Sequence, residues 1–132
     1  TLAYDSMPQS LRSRLKDMRS LYRARATHEI DSVEVSHPVV LVNPGHSRRA
    51  VYVSELCHGF EGVVDTEGEA LRDEIMGYIL QDQHRYTHQW RMGDMLIYDN
   101  AQLLHRREAF EGLRWLKATR SHPPADRFAI IN

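Results

Sequence analysis

Two residues in the last third of this chain have types and spacing that can do chemistry together. His105 follows Leu103-Leu104, and Arg114 comes shortly after the Glu111-Gly112 turn. A neutral imidazole on an apolar strand is a candidate metal ligand, binding through one ring nitrogen. A guanidinium offers two parallel charge-assisted hydrogen bonds to a planar carboxylate. If Leu103-Leu104-His105 and the stretch from Arg114 to Arg120 are neighbouring strands, alternating faces, one barrel can present both groups. A histidine among leucines is also at home as an ordinary core residue, and an arginine at a strand edge as a solvated one, so the surrounding pattern decides.

That pattern runs Trp90-Arg91-Met92-Gly93-Asp94, an apolar segment Met95-Leu96-Ile97-Tyr98, a polar turn at Asp99-Asn100, and then His105. It resembles the C-terminal half of the taurine dioxygenase-like (TauD/TfdA) family of iron(II) and 2-oxoglutarate-dependent oxygenases. In that family a tryptophan, a Gly-Asp pair, a short apolar strand and a Trp/Tyr-Asp-Asn turn precede the distal histidine ligand. Arg114-Trp115-Leu116 resembles the strand carrying the family's 2-oxoglutarate arginine. His37-Pro38-Val39-Val40 with Arg49-Ala50-Val51-Tyr52-Val53 resembles its "HPVV...G-R-x-A-L-Y-V" hairpin, and Ala3-Tyr4-Asp5 its "AYEAL" segment.

The resemblance implies a double-stranded β-helix of the jelly-roll, cupin-like kind, mainly β with flanking helices, and incomplete in this sequence. It implies Fe(II) held by two histidines and one carboxylate, with His105 as the second histidine, and 2-oxoglutarate held at its distal carboxylate by Arg114. Thr1-Leu2 resembles the "G-D-T-L" segment whose threonine hydrogen-bonds 2-oxoglutarate, which makes Thr1 a further co-substrate contact. The implied activity is a dioxygenase that oxidises, by default hydroxylates, a C–H bond of a small molecule using dioxygen. Halogenation stays open, because family halogenases replace the metal carboxylate with a small residue. In taurine dioxygenase a second arginine, four positions after the first, grips the sulfonate; Ala118 stands there, which disfavours a sulfonate by that route.

Half of the implied metal site is not in the sequence. The family takes its first histidine and its carboxylate from an upstream His-x-Asp or His-x-Glu pair, and none of the eight histidines here is followed two positions later by an acid. The expectation is therefore that residues 1–132 are the C-terminal portion of a single oxygenase domain. The competing reading is a non-catalytic jelly-roll module that binds a small acid or a partner protein. A third is a zinc hydrolase using His84, His88 and His105, in which the spacing of His84 and His88 would suit a helix.

Composition sets outer bounds. At 132 residues the chain holds at most one modest core, and 42% hydrophobic residues with a formal net charge of −1 read as a soluble globular protein. Near-neutral balance gives no footprint for nucleic acid. The first helix is locally basic at Arg12, Arg14, Lys16, Arg19, Arg23 and Arg25, which reads as a solvated face. The single cysteine, Cys57, excludes an internal disulfide framework and suits a reducing cytoplasm. No apolar run is long enough to span a membrane, and a homo-oligomer is compatible with the sequence.

The elements that must position the site follow from periodicity. A helix is expected from Pro8, carrying Leu11, Leu15, Met18 and Leu21-Tyr22 at helical spacing. A loop from Thr27 to Ser36 leads to a strand from His37 to Val42, a turn at Asn43-Pro44-Gly45-His46, and a partner strand from Arg49 to Val53. A second helix begins near Thr66, with Glu69 completing a capping box, Leu71, Ile75, Met76, Ile79 and Leu80 facing inward, and Gly77 weakening its far end. From Gln83 to Trp90 the period becomes two, a strand with His84, Tyr86 and His88 on one face.

Overall fold

The computed structural model describes residues 1–23, 32–42, 47–100, 102–113 and 115–121. Two short helices open the chain, α1 (Leu2–Ser6) and α2 (Gln9–Leu15). Pro8 sits at the N-cap of α2, where its missing N–H costs nothing. The helix turns Leu11 and Leu15 into the core and stops there, with the Met18 N–H donating to the Leu15 carbonyl at 3.2 Å.

The expected continuation of this helix through Leu21-Tyr22 is not observed. Arg19–Arg23 is instead strand β1. The spacing of Met18, Leu21 and Tyr22 fits either element, and tertiary pairing decides between them. β1 is the central strand of an antiparallel sheet, between β2 (Glu34–Pro38) and β5 (Cys57–Phe60). Its registers run from Arg19 opposite Pro38 to Arg23 opposite Glu34, and from Ser20 opposite Phe60 to Tyr22 opposite Cys57, with a shift between Leu21 and Tyr22. Ser20, fully buried, places its hydroxyl 3.3 Å from the His37 carbonyl and 3.4 Å from that of Tyr52.

β2 replaces the C-terminal end of the loop expected from Thr27 to Ser36, because β1 offers its backbone a ladder there. The expected hairpin is present with tighter bounds: β3 (Val40–Val42) pairs with β4 (Arg49–Val51), Val40 opposite Val51 and Val42 opposite Arg49. The turn at 43–46 lies outside the described residues. Val39, fully buried, joins the two sheets, donating to the Met18 carbonyl at 2.9 Å and accepting from the Tyr52 N–H at 2.7 Å.

Helix α3 spans Asp65–Ile79 and lays Leu71 and Ile75, one turn apart, against this sheet. Gly68 lies on the same face; a Cβ there would sit 3.7 Å from Phe60 Cδ2. The capping box expected at Thr66 and Glu69 does not form. The helix begins at Asp65 with Val64 as N-cap and no side-chain cap, so Thr66 already lies inside the first turn. Asp65 and Glu67 complement the positive end of the helix dipole instead. Gly77 does not end the helix. The core is one cluster of Met7, Leu11, Leu15, Val39, Val53, Cys57, Phe60, Leu71 and Ile75.

Beyond α3 the chain changes character. Asp82–His84 is one turn of 3-10 helix, so the strand expected from Gln83 to Trp90 does not form, and residues 85–121 hold no strand among those described. The segments expected as strands, Met95–Tyr98 and Leu103–His105, are exposed, with Ile97 at 83%; so is the described part of the third, with Trp115 at 81%. A strand needs a neighbour to take its N–H and C=O groups, and the described residues supply none here. The turns between these segments are in place. Gly93 has φ 91° and Gly112 φ 84°, and the N–H groups of Gln102 and Leu103 both donate to the Asp99 carbonyl at 3.2 Å. Among the described residues no helix is long and apolar enough to cross a membrane.

Candidate functional site

The motif segment is organised locally by one carboxylate. Asp94 Oδ2 accepts the Arg91 N–H at 2.8 Å and lies 3.2 Å from His88 Nε2, while the Asp94 N–H donates to the Arg91 carbonyl at 3.1 Å. His88 Nδ1 is 2.9 Å from the Tyr86 hydroxyl, and its ring meets that of Trp90 edge-on at 4.5 Å. Glycine at position 93 permits the positive φ of the turn, and Asp94 ties it shut. This arrangement accounts for the Gly-Asp pair as a turn clamp. In the sequence its signs were the Gly93-Asp94 pair and the alternation that put His84, Tyr86 and His88 on one face.

His105 is exposed, not buried as its leucine neighbours suggested, and its ring lies 5.2 Å from that of Tyr98 at 56°. The Asp99 turn reverses the chain so that these two rings meet. Arg114, expected to hold 2-oxoglutarate, lies outside the described residues. In the described residues that follow, Lys117 Nζ sits 4.9 Å over the Trp115 ring. Thr1 is the N-cap residue of α1 and lines a cavity of about 410 Å³ with Tyr4, Asp5, Arg12 and Lys16. His105 is not among the residues that line this cavity.

A metal needs several donors converging on one point. Among the described residues no three histidine, cysteine, aspartate or glutamate side chains converge in that way. The residues described therefore do not fit a complete iron site: His105 is a single donor. The zinc reading fails on the same observation. His84 Nδ1 is 2.8 Å from the Tyr78 carbonyl and His88 is held by Tyr86 and Asp94, so neither stands with His105.

A second cavity, of about 630 Å³, was not foreseen. Tyr22, His37 and Tyr52 form its aromatic wall, with ring centroids 5.3 to 5.8 Å apart, and Val35, Leu56 and His58 complete it. The Tyr22 hydroxyl donates to the Tyr52 carbonyl at 3.2 Å. Burial, the largest influence, raises the Tyr22 pKa above its ordinary value by disfavouring the phenolate. These residues come from β1, β2, the stretch after β4 and β5, so only the sheet order brings them together.

Comparison with known proteins accounts for the motif order. Residues 1–120 match the family model described as taurine catabolism dioxygenase TauD, TfdA family. The chain belongs to this family. It is 27% identical to the alpha-ketoglutarate-dependent 2,4-dichlorophenoxyacetate dioxygenase of Cupriavidus pinatubonensis, over 83% of this chain and 42% of that protein. It is 31% identical to the pentalenolactone F synthase of Streptomyces arenae, over 61% of this chain and 27% of that protein. Among solved structures, a taurine dioxygenase from Burkholderia xenovorans superposes with a TM-score of 0.62 at 26% identity, covering 70% of this chain and 32% of that one. The structure of AAD-2 in complex with Mn(II) and N-oxalylglycine has a TM-score of 0.61 at 20% identity, covers 67% of this chain and 40% of that one, and shares the fold alone. The chain spans about two fifths of the length of the first two curated relatives, 42% and 41%.

Proposed function

We propose that residues 1–132 are the C-terminal portion of a single jelly-roll domain of an Fe(II) and 2-oxoglutarate-dependent dioxygenase. The observation that carries this reading is the family match across residues 1–120, with the Gly93-Asp94 turn, the Asp99-Asn100 turn and His105 in the family's order. In this reading His105 gives one imidazole to iron, and the remaining donors come from a part of the domain other than these residues. Iron, when bound, supplies the activation of dioxygen.

The chain's own residues then bind and orient. Arg114 takes the distal carboxylate of 2-oxoglutarate through paired hydrogen bonds, and Thr1 donates its hydroxyl to the same molecule. The family match and the relatives named as alpha-ketoglutarate-dependent dioxygenases support this choice of co-substrate. The Asp94 clamp fixes the turn that leads toward Tyr98 and His105. Substrates are small molecules, oxidised, by default hydroxylated, at a C–H bond. Two relatives are named for 2,4-dichlorophenoxyacetate and (S)-phenoxypropionate, and an aryl ring of that kind suits the wall of Tyr22, His37 and Tyr52.

The test is oxygen consumption and succinate formation by the full-length polypeptide supplied with Fe(II), 2-oxoglutarate and a panel of aryloxyalkanoates and taurine. The reading predicts succinate release that depends on an aryloxyalkanoate and falls by about 100-fold or more in Arg114→Ala, the loss of a bidentate charged contact plus misplacement of the co-substrate. No 2-oxoglutarate turnover in a folded, iron-loaded protein would favour the second reading, a non-catalytic binding module. That reading draws on one observation: the described residues alone assemble no metal site.

A further inference from the structure

The basic stretch of the first helix is not one solvated face. Arg14 pairs with Glu67 of α3, and Arg19 binds the Ser36 hydroxyl and faces Glu61 at 3.4 Å. Gln9, Arg12, Ser13 and Lys16 recur at helical spacing on another side of α2 and line the 410 Å³ cavity. Arg48 and Arg49 enter the same cavity from the start of β4, next to Ser47, whose φ of 56° turns the chain. Four cationic side chains thus meet a single carboxylate, Asp5, among the described lining residues.

Asp5 is engaged by Arg48 at 3.9 Å. Arg12, Lys16 and Arg49 have no carboxylate partner among the described residues. Arg12 is also held in place, its guanidinium 6.0 Å over the ring of Tyr4, a buried residue. Its Nε is shut off from solvent and has no hydrogen-bond partner. A buried donor left unmet is costly, and like charges converging on one cavity repel. An anion seated among these cations relieves the repulsion.

We propose that this cavity binds a small molecule carrying a dianionic oxyanion head, a phosphate ester or a dicarboxylate, at a site separate from the proposed iron centre. Arg12, Lys16 and Arg49 supply the charge. The cavity is of the size that ordinary small ligands fill, large enough for an organic body beside the head group. The inference uses neither His105 nor Arg114; Thr1, assigned above to 2-oxoglutarate, also lines this cavity, but the charge comes from Arg12, Lys16 and Arg49 alone.

The experiment is calorimetric titration of the full-length polypeptide, free of metal and at constant ionic strength, with inorganic phosphate in one arm and succinate in the other. At least one arm is expected to show saturable binding to one site, weakened about tenfold in Arg12→Gln and several-fold in Lys16→Gln, as loss of a charge-assisted contact predicts. The arm that binds identifies the head group. Arg106→Gln, which removes a cation paired with Glu108 outside the cavity, should leave binding unchanged. Lys16 is exposed, so its variant keeps the test valid if Arg12→Gln folds poorly. Absence of saturable binding in both arms, or affinity unaltered in both folded variants, would overturn the proposal. So would loss of binding in Arg114→Ala, which would place the anion at the proposed co-substrate arginine.

Discussion

The residues around Tyr22 show how one half-buried polar knot, with Ser20 at its buried centre, joins two sheets. Ser20 and Tyr22, two apart on β1, both direct hydroxyls to the Tyr52 carbonyl, and His37 closes the ring cluster. The folded state raises the Tyr22 pKa, chiefly by burial, so the native protein holds the phenolic proton more tightly than the unfolded chain does. Stability from this neutral phenol is fully present below the unfolded pKa of about 10 and is lost as pH rises through the higher folded value. Denaturant titrations from pH 8 to 11 should show the wild type losing stability above about pH 10, with a shallower fall in Tyr22→Phe. Equal slopes would mean that Tyr22 titrates as it does in the unfolded chain. None of this was legible in the sequence, where Tyr22 read as the end of a helical stripe. His105 and Arg114 could be picked out because they stand in a fixed order with Gly93-Asp94 and Asp99-Asn100, a linear pattern that needs no tertiary information.

At the scale of elements, what was legible depended on whether a segment's partner is local. Helix α3 was readable because its apolar residues repeat every three or four positions, and the β3–β4 hairpin because two apolar runs flank a polar turn. β1, β2 and β5 were misread or missed because their pairing is set by distant residues. Two substitutions in α3 test its packing. Ile75, fully buried, should cost about 2–5 kcal/mol on truncation to alanine, the lost burial plus a cavity. Gly77 is helical and has nothing within 4 Å of a built Cβ, so Gly77→Ala should add about 0.5–1 kcal/mol. Urea unfolding measures both; a destabilising Gly77→Ala would contradict the open space around that position.

Over the whole molecule, order is divided along the chain. Residues through α3 share one core, whereas Met92, Met95, Ile97, Leu113 and Trp115 expose most of their apolar surface. Exposed apolar side chains on a chain without strand partners are what strands present to a sheet that must supply their neighbours. The chain spans 42% of its Cupriavidus relative, and in the proposed domain those neighbours and the remaining metal donors come from beyond these residues. The direct test is anaerobic titration of the full-length polypeptide with Fe(II) in the presence of 2-oxoglutarate, following the visible charge-transfer absorption of the chelated co-substrate. The account predicts a band that saturates at one iron per chain, is abolished in His105→Ala, and is lost or weakened in Arg114→Ala. A folded protein that gives no band, or a band indifferent to His105, would contradict it.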